Sequence, residues 1–321
     1  MSSDNSSRPP AAGLIVAAFA AVYLIWGSTY LAIRYAVESM PPFLMAGSRF
    51  VLAGLVLFAW MKCRSGDWPT FRQWRDATIV GTLMLLGGNG GVVWAEKVIP
   101  SSVAALMVAI VPLWMMLLEW REGAAGRPTL KIVLGLVAGF AGVGILVMGG
   151  RGYDGAPLPW PGLAALLLAT VCWAVGSLFS RRSAKPASAL LAIGMQMISG
   201  GLVMTLFGVA VGEIPAFDPA AVSALSFWSW LYLSLVGALV GFTAYVWLLQ
   251  VSTPSKVSTY AFVNPLIAVV LGCTLGREPF SMRLVFSTGL ILVAVILIIY
   301  GRPARSRPAT SPALPDPERA G

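Results

Sequence analysis

Apolar residues gather in long runs separated by short polar breaks, and the length of those runs is the first structural signal in the chain. Taking roughly 20 apolar residues as one passage through a bilayer core, the sequence divides into ten crossings. They fall at about 13 to 33, 43 to 61, 77 to 95, 101 to 118, 132 to 150, 161 to 180, 189 to 211, 227 to 250, 257 to 276 and 284 to 300. The breaks are marked by proline or charge, as at Pro41-Pro42, Lys62 to Asp76, Pro100 and Pro157 to Pro161. The polar segment 1–12 leads into an apolar run longer than a signal-peptide core and followed by many more, which predicts an uncleaved first helix. The expected fold class is therefore all-α and integral to a membrane, with 302–321, which holds five prolines, as a disordered tail.

A repeat organises these runs. At an offset of 147 residues Trp26 falls on Trp173, Arg34 on Arg181, Gly47 on Gly194 and Gly54 on Gly201. After a shift of six residues the register resumes with Gly88 on Gly241, Trp94 on Trp247 and Pro112 on Pro265. Internal repeats of this kind set the fold reading. The expected units are 13–150 and 161–301, joined by a loop over 151–160. Each unit holds five crossings, an odd number, so the second enters from the opposite side and the repeat is inverted. Inverted repeats give many secondary transporters two alternative openings around one midplane site.

Composition agrees with the pattern. Charged residues make up 11% of 321 positions and apolar ones 58%, too oily for the surface of a soluble protein. The net charge of +9 would suggest nucleic acid in a soluble chain, but no basic, aromatic-interleaved patch is present and no nucleic-acid partner is expected. Sixteen of the lysines and arginines fall on the side that carries both termini, five on the other (Arg34, Lys97, Arg151, Arg277 and Arg283), and Arg49 lies within a crossing. That bias predicts cytoplasmic termini. Cys63, Cys172 and Cys273 are scattered and histidine is absent, so neither a disulfide framework, a metal site nor a serine-histidine-acid set is indicated.

The candidate chemistry lies in polar residues inside crossings. Arg49 is the only full charge well inside one, a costly position unless it faces water or a partner. It is read either as a structural pair or as the contact for an anionic group such as a substrate carboxylate; its repeat partner is Gln196. Gly87-Gly88-Asn89-Gly90-Gly91 lacks the lysine ending of a phosphate loop and lies in an apolar run, which excludes nucleotide binding. Close packing of helices and a locally loosened helix marked by Asn89 remain as alternatives. Trp26, Ser28 and Tyr30 in the first half and Trp173 and Ser177 in the second form two related aromatic and hydroxyl groups. A single Trp or Tyr suits an interfacial belt, but Trp26 and Trp173 fall about mid-span, and together with Trp94, Trp114, Tyr245 and Tyr260 they suit a cavity for flat or apolar solutes. Pro112 and Pro265 are expected to kink crossings four and nine as hinges, and Asn264 either answers a freed carbonyl or faces the cavity. Glu96, Lys97, Glu119 and Glu278 end crossings, where solvated faces are expected. No carboxylate falls near the middle of any crossing, so ion coupling has no obvious residue.

Trp26-Gly27-Ser28-Thr29-Tyr30, Arg49-Phe50 and the proline-bearing fourth crossing of each half, at Pro112 and Pro265, resemble the drug/metabolite transporter superfamily, EamA-type, over about residues 13 to 301. The resemblance implies an inner-membrane, alternating-access carrier whose crossings one to four and six to nine surround a central cavity, with five and ten peripheral. Carried over by position, it makes Trp26, Ser28, Tyr30, Arg49, Asn89, Trp94, Trp173, Gln196, Tyr245, Tyr260 and Asn264 the substrate-binding candidates. Its bacterial members suggest export of small amphipathic metabolites, neutral or aromatic amino acids first. Export of cationic drugs or quaternary ammonium compounds is the alternative, and a non-transporting scaffold a distant one. The implied partners are a small-molecule substrate and the lipid bilayer, with monomer and homodimer both open; no cofactor or metal is implied, and no enzymatic activity.

Overall fold

The computed structural model describes residues 12–64, 68–122, 129–148, 150, 156–252, 254–257 and 259–301. The expected amino-terminal segment and tail, most of the connecting loop, and the stretch Gly123 to Pro128 lie outside the described residues. Every regular element among the described residues is helical. Among the described residues nine helices are long and apolar enough to cross a bilayer: Ala12–Val37, Pro42–Arg64, Phe71–Ala95, Ser101–Arg121, Leu130–Val147, Trp160–Arg182, Ala189–Ala210, Ala224–Val251 and Met282–Tyr300. The shorter apolar helix Tyr260–Thr274 completes ten crossings. They are numbered one to ten in chain order, with Tyr260–Thr274 as crossing nine.

Two departures from straight α-helix are related by the repeat. Crossing three winds as a π-helix over Thr82–Gly90, and crossing eight does so over Leu233–Val240. The glycine cluster at 87–91 is thus loosened locally, and it is also a packing surface, so both sequence readings apply. A β-carbon on Gly87 would stand 2.9 Å from Cys172, and one on Gly88 2.7 Å from the ring of Trp173. Crossing four is broken at Ala109-Ile110, ahead of Pro112, into Ser101–Val108 and Val111–Arg121. Pro265 sits inside the continuous helix Tyr260–Thr274 without a break.

The halves meet through small residues, and the pairing shows the inversion directly. Crossings two and seven run antiparallel: a β-carbon on Gly47 would lie 2.9 Å from the Gly201 carbonyl, and one on Gly54 2.9 Å from the Gly194 carbonyl. Since Gly194 repeats Gly47 and Gly201 repeats Gly54, each contact is the image of the other. This is the self-complementary pattern of a two-fold axis. Crossings five and ten pair in the same antiparallel sense, Gly135 against Ile298 and Gly142 against Ile291. Close approach of backbones is how helices associate where lipid supplies no hydrophobic drive between them. The largest buried cluster joins crossings three to six with crossing ten, from Val92 and Ile99 through Leu113 and Leu166 to Val295. A second joins crossings one, two, three, seven and eight around Phe50, Met197 and Met204.

Candidate functional site

Arg49 lies in the first half of crossing two, about two turns from its start, and is 3% exposed. Its Nη2 donates to Asn89 Oδ1 at 2.7 Å, within the loosened part of crossing three, and its guanidinium lies 4.6 Å from the Phe50 ring centroid. Its Nε has no hydrogen-bond partner. The π winding matters here. Each extra residue per turn turns the following side chains about the axis, and a π segment recurs at functional positions because it re-aims groups without breaking the helix. Asn89 is one of those groups.

Glu96 corrects the sequence reading. It was expected on a solvated face, yet it is 1% exposed, and neither carboxylate oxygen has a partner. It lies one residue beyond the end of crossing three, and the charges that act on it are Glu278, Arg49 and Arg34. Glu278 is buried as well. Its Oε1 accepts from Ser101 N at 2.7 Å and Ser101 Oγ at 2.6 Å, and its Oε2 accepts from Ser102 N at 2.9 Å. These are the unpaired first amides of crossing four, where an anion also meets the positive end of the helix dipole. Arg34, at the end of crossing one, donates to the Gly276 carbonyl and stands 3.9 Å from Glu278 Oε1. Crossings one, four and nine are therefore latched together on the face where crossing one ends.

The opposite face carries the image of part of this latch. Arg181, the repeat of Arg34, pairs with Glu119 at the end of crossing four, and Arg182 reaches Glu122 at 2.6 Å. In each half the arginine closing the first crossing meets an acid at the end of the other half's arrangement.

The aromatic candidates divide into separate groups. Trp26 stacks in tilted or edge geometry with Phe242, Tyr245 and Tyr260 at centroid distances of 5.2, 5.2 and 5.3 Å, and its Nε1 donates to Gly237 O at 3.2 Å. Ser28 donates to Ile25 O at 2.9 Å, so the 2.7 Å contact with Tyr232 has the phenol as donor. Tyr30 packs against the cluster around Ile99. Trp173 lies on Gly88, and Ser177 caps back to Trp173 O. Trp114 donates to Thr170 at 2.9 Å. Gln196 is half-buried, its carbonyl 2.6 Å from where a β-carbon of Gly81 would stand. Asn264 is buried with its Oδ1 unpartnered. Trp94 is 37% exposed.

Two open crevices, of about 500 and 420 Å³, have none of the substrate-binding candidates in their walls. One is apolar, between crossings one, two and eight, with Leu14, Trp60 and Trp247 in its wall. The other lies beside the latch, with Arg34 and Arg277. Sequence reasoning missed Glu96, Phe242 and Tyr232. For Phe242 and Tyr232 the repeat gave the signal, since both flank the π segment of crossing eight; for Glu96 the chain has no local signal, because its burial is made by other crossings. No cluster of metal-ligating side chains occurs among the described residues.

Two inverted sets of five crossings, meeting on glycine faces and enclosing an arginine, an asparagine and a carboxylate, define an integral membrane protein with carrier architecture. The profile of the EamA-like transporter family matches residues 12–148 and 160–300. The chain belongs to that family and is a membrane transporter. It is 35% identical over 300 residues to the uncharacterized inner membrane transporter YedA of Escherichia coli strain K12, covering 92% of this chain and 94% of YedA. It is 28% identical over 283 residues to protein PecM of Dickeya dadantii strain 3937, covering 85% and 88%. A solved chain with 21% identity superposes over 88% of this chain and 95% of its own at a TM-score of 0.59, a likeness of fold alone.

Proposed function

We propose that the protein exports small amphipathic metabolites, neutral and aromatic amino acids first, by rocking its two halves about the midplane, and that it acts as a carrier and not as an enzyme. The observation that carries the substrate class is Arg49: a buried guanidinium held on one side by Asn89, with a donor left over. A buried charge of this kind is stabilised by a partner, and a carboxylate is the geometry it fits best. The aromatic residues on crossings one, eight and nine supply a surface for the side chain. The likeness to YedA, an inner membrane transporter, supports an inner-membrane location, and the lysine and arginine bias supports cytoplasmic termini. In that orientation the Glu278 latch lies on the periplasmic face.

Proteoliposomes loaded with unlabelled neutral amino acids should accumulate labelled ones from outside without an ion gradient, and Arg49→Gln should abolish this. Accumulation that survives Arg49→Gln would remove the carboxylate assignment. Absence of accumulation in liposomes containing folded protein would remove the amino-acid reading.

The second reading, export of cationic drugs, gains from Glu96. The sequence lacked a central carboxylate for a cation; the structure supplies a buried one beyond crossing three, and Trp26 with the three rings around it suits cation-π contact. A tetraalkylammonium probe exchanged by the protein and indifferent to Arg49→Gln would favour it.

A further inference from the structure

Glu96 is the one buried carboxyl group among the described residues whose two oxygens are both without a partner. Burial in protein disfavours a lone carboxylate, so such a group is retained where it gains a proton or a cation. The groups that interact with it electrostatically lie on three parts of the chain. Crossing one contributes Arg34 and the Tyr30 hydroxyl, crossing two contributes Arg49, and the turn after crossing nine contributes Glu278. Lys97, its chain neighbour, points to solvent. Burial and the Glu278 carboxylate favour the neutral acid, whereas Arg49 and Arg34 favour the anion. Glu278 is committed to three donors and Arg34 to Gly276, which leaves Arg49 and Glu96 as the opposed charges in this interior with unused hydrogen-bonding capacity.

We propose that Glu96 is an exchange site that binds either a proton or the ammonium group of a zwitterionic substrate whose carboxylate is held by Arg49. The proposal rests on the amino-acid reading above and adds the coupling step to it. Its sign follows from charge. A substrate carboxylate alone at Arg49 would remove the cation that favours ionised Glu96 and so draw a proton in, giving co-transport. An ammonium group at Glu96 replaces the proton instead: the O–H bond of the acid breaks, the proton leaves to water, and the carboxylate accepts hydrogen bonds from the ammonium. On the return step a proton from water takes the ammonium's place. The result is antiport, the direction in which an inward proton gradient drives export.

Two measurements on the purified full-length protein test this. Without any ligand, infrared difference spectra over about pH 5 to 9 should show one protonated-carboxyl band that titrates in the wild type, is missing in Glu96→Gln and is displaced in Glu96→Asp. A band that does not titrate, or that persists in Glu96→Gln, overturns the proton site whatever the transport result. Weakly buffered proteoliposomes given L-phenylalanine should release protons, and N-acetyl-L-phenylalanine, which lacks the ammonium, should release none. Glu96→Gln should lose the release at least tenfold, whereas Glu96→Asp, which keeps the carboxylate, should retain it. Proton uptake on adding phenylalanine overturns the antiport assignment. A titrating band with no phenylalanine response and no counterflow retires the amino-acid reading and the exchange with it, leaving Glu96 as a proton site only. Should Glu96→Gln fail to fold, Glu96→Asp keeps both readouts.

Discussion

The indole of Trp26 occupies the space in which a β-carbon of Gly241 would stand. The same relationship recurs in the other half between Trp173 and Gly88, and the repeat maps one pair onto the other. Each pair joins the first crossing of one half to the third crossing of the other, at or just beyond a π segment. Gly88→Ala and Gly241→Ala should each destabilise the protein by about 1–3 kcal/mol through overpacking. Thermal unfolding in detergent checks this, and Trp26→Phe combined with Gly241→Ala should cost less than the sum of the two, as expected for residues in contact.

A harsher outcome is expected between crossings two and seven, where the obstacle is main chain and cannot rotate away. A β-carbon on Gly47 would lie 2.8 Å from Thr205 N and 2.9 Å from Gly201 O. Gly47→Ala should therefore destabilise more than Gly241→Ala, at or above the upper end of about 3 kcal/mol. Gly144 has nothing within 4 Å of the same position, so Gly144→Ala should be neutral or gain up to about 1 kcal/mol from helix propensity. Equal unfolding temperatures for the Gly47 and Gly144 variants would contradict the packing account.

The fold was legible because its causes are local or periodic. Run length gives the crossings, and the 147-residue register gives the inversion that Gly47, Gly54, Gly194 and Gly201 display in three dimensions. The site was only partly legible. Arg49 announces itself as a charge in an apolar run, whereas Glu96 sits beside Lys97 in a polar break and reads as solvated. What buries it is the arrival of crossings one and two and the turn after crossing nine, which no spacing in the chain encodes. Glu278 was misread for a related reason: a carboxylate at a helix end is ordinarily wet, and only the return of this turn onto Ser101 and Ser102 makes it a cap.

The latch should be separable from the fold. Hydrogen bonds to a charged group contribute about 1.5–3 kcal/mol each, and Glu278→Ala removes three of them. Cys273, half-buried on crossing nine near Glu278, is a native reporter. In a background lacking Cys63 and Cys172, Glu278→Ala should raise its maleimide labelling rate by at least about tenfold, which corresponds to about 1.4 kcal/mol. Arg34→Gln should fall between wild type and that variant, because Arg34 reaches Glu278 only at 3.9 Å. An unchanged rate in folded Glu278→Ala protein would show that the latch does not hold this face shut.

What returns Glu278 to crossing four is the backbone at Arg277, whose φ of 52° is in the left-handed region. Its side chain is exposed, so substitutions there act through the main chain. Left-handed conformation costs an ordinary residue about 1–2 kcal/mol, and a β-branched one more. Glycine removes that strain but gives back about 0.5–1 kcal/mol through the freedom of the unfolded chain. Arg277→Gly should accordingly match wild type within about 1 kcal/mol and label slowly at Cys273. Arg277→Val should unfold at a lower temperature and label fast, because relieving its strain swings Glu278 off Ser101 and Ser102. If the valine variant loses stability with Cys273 still protected, the turn and the latch are independent, and the left-handed residue serves only to end crossing nine.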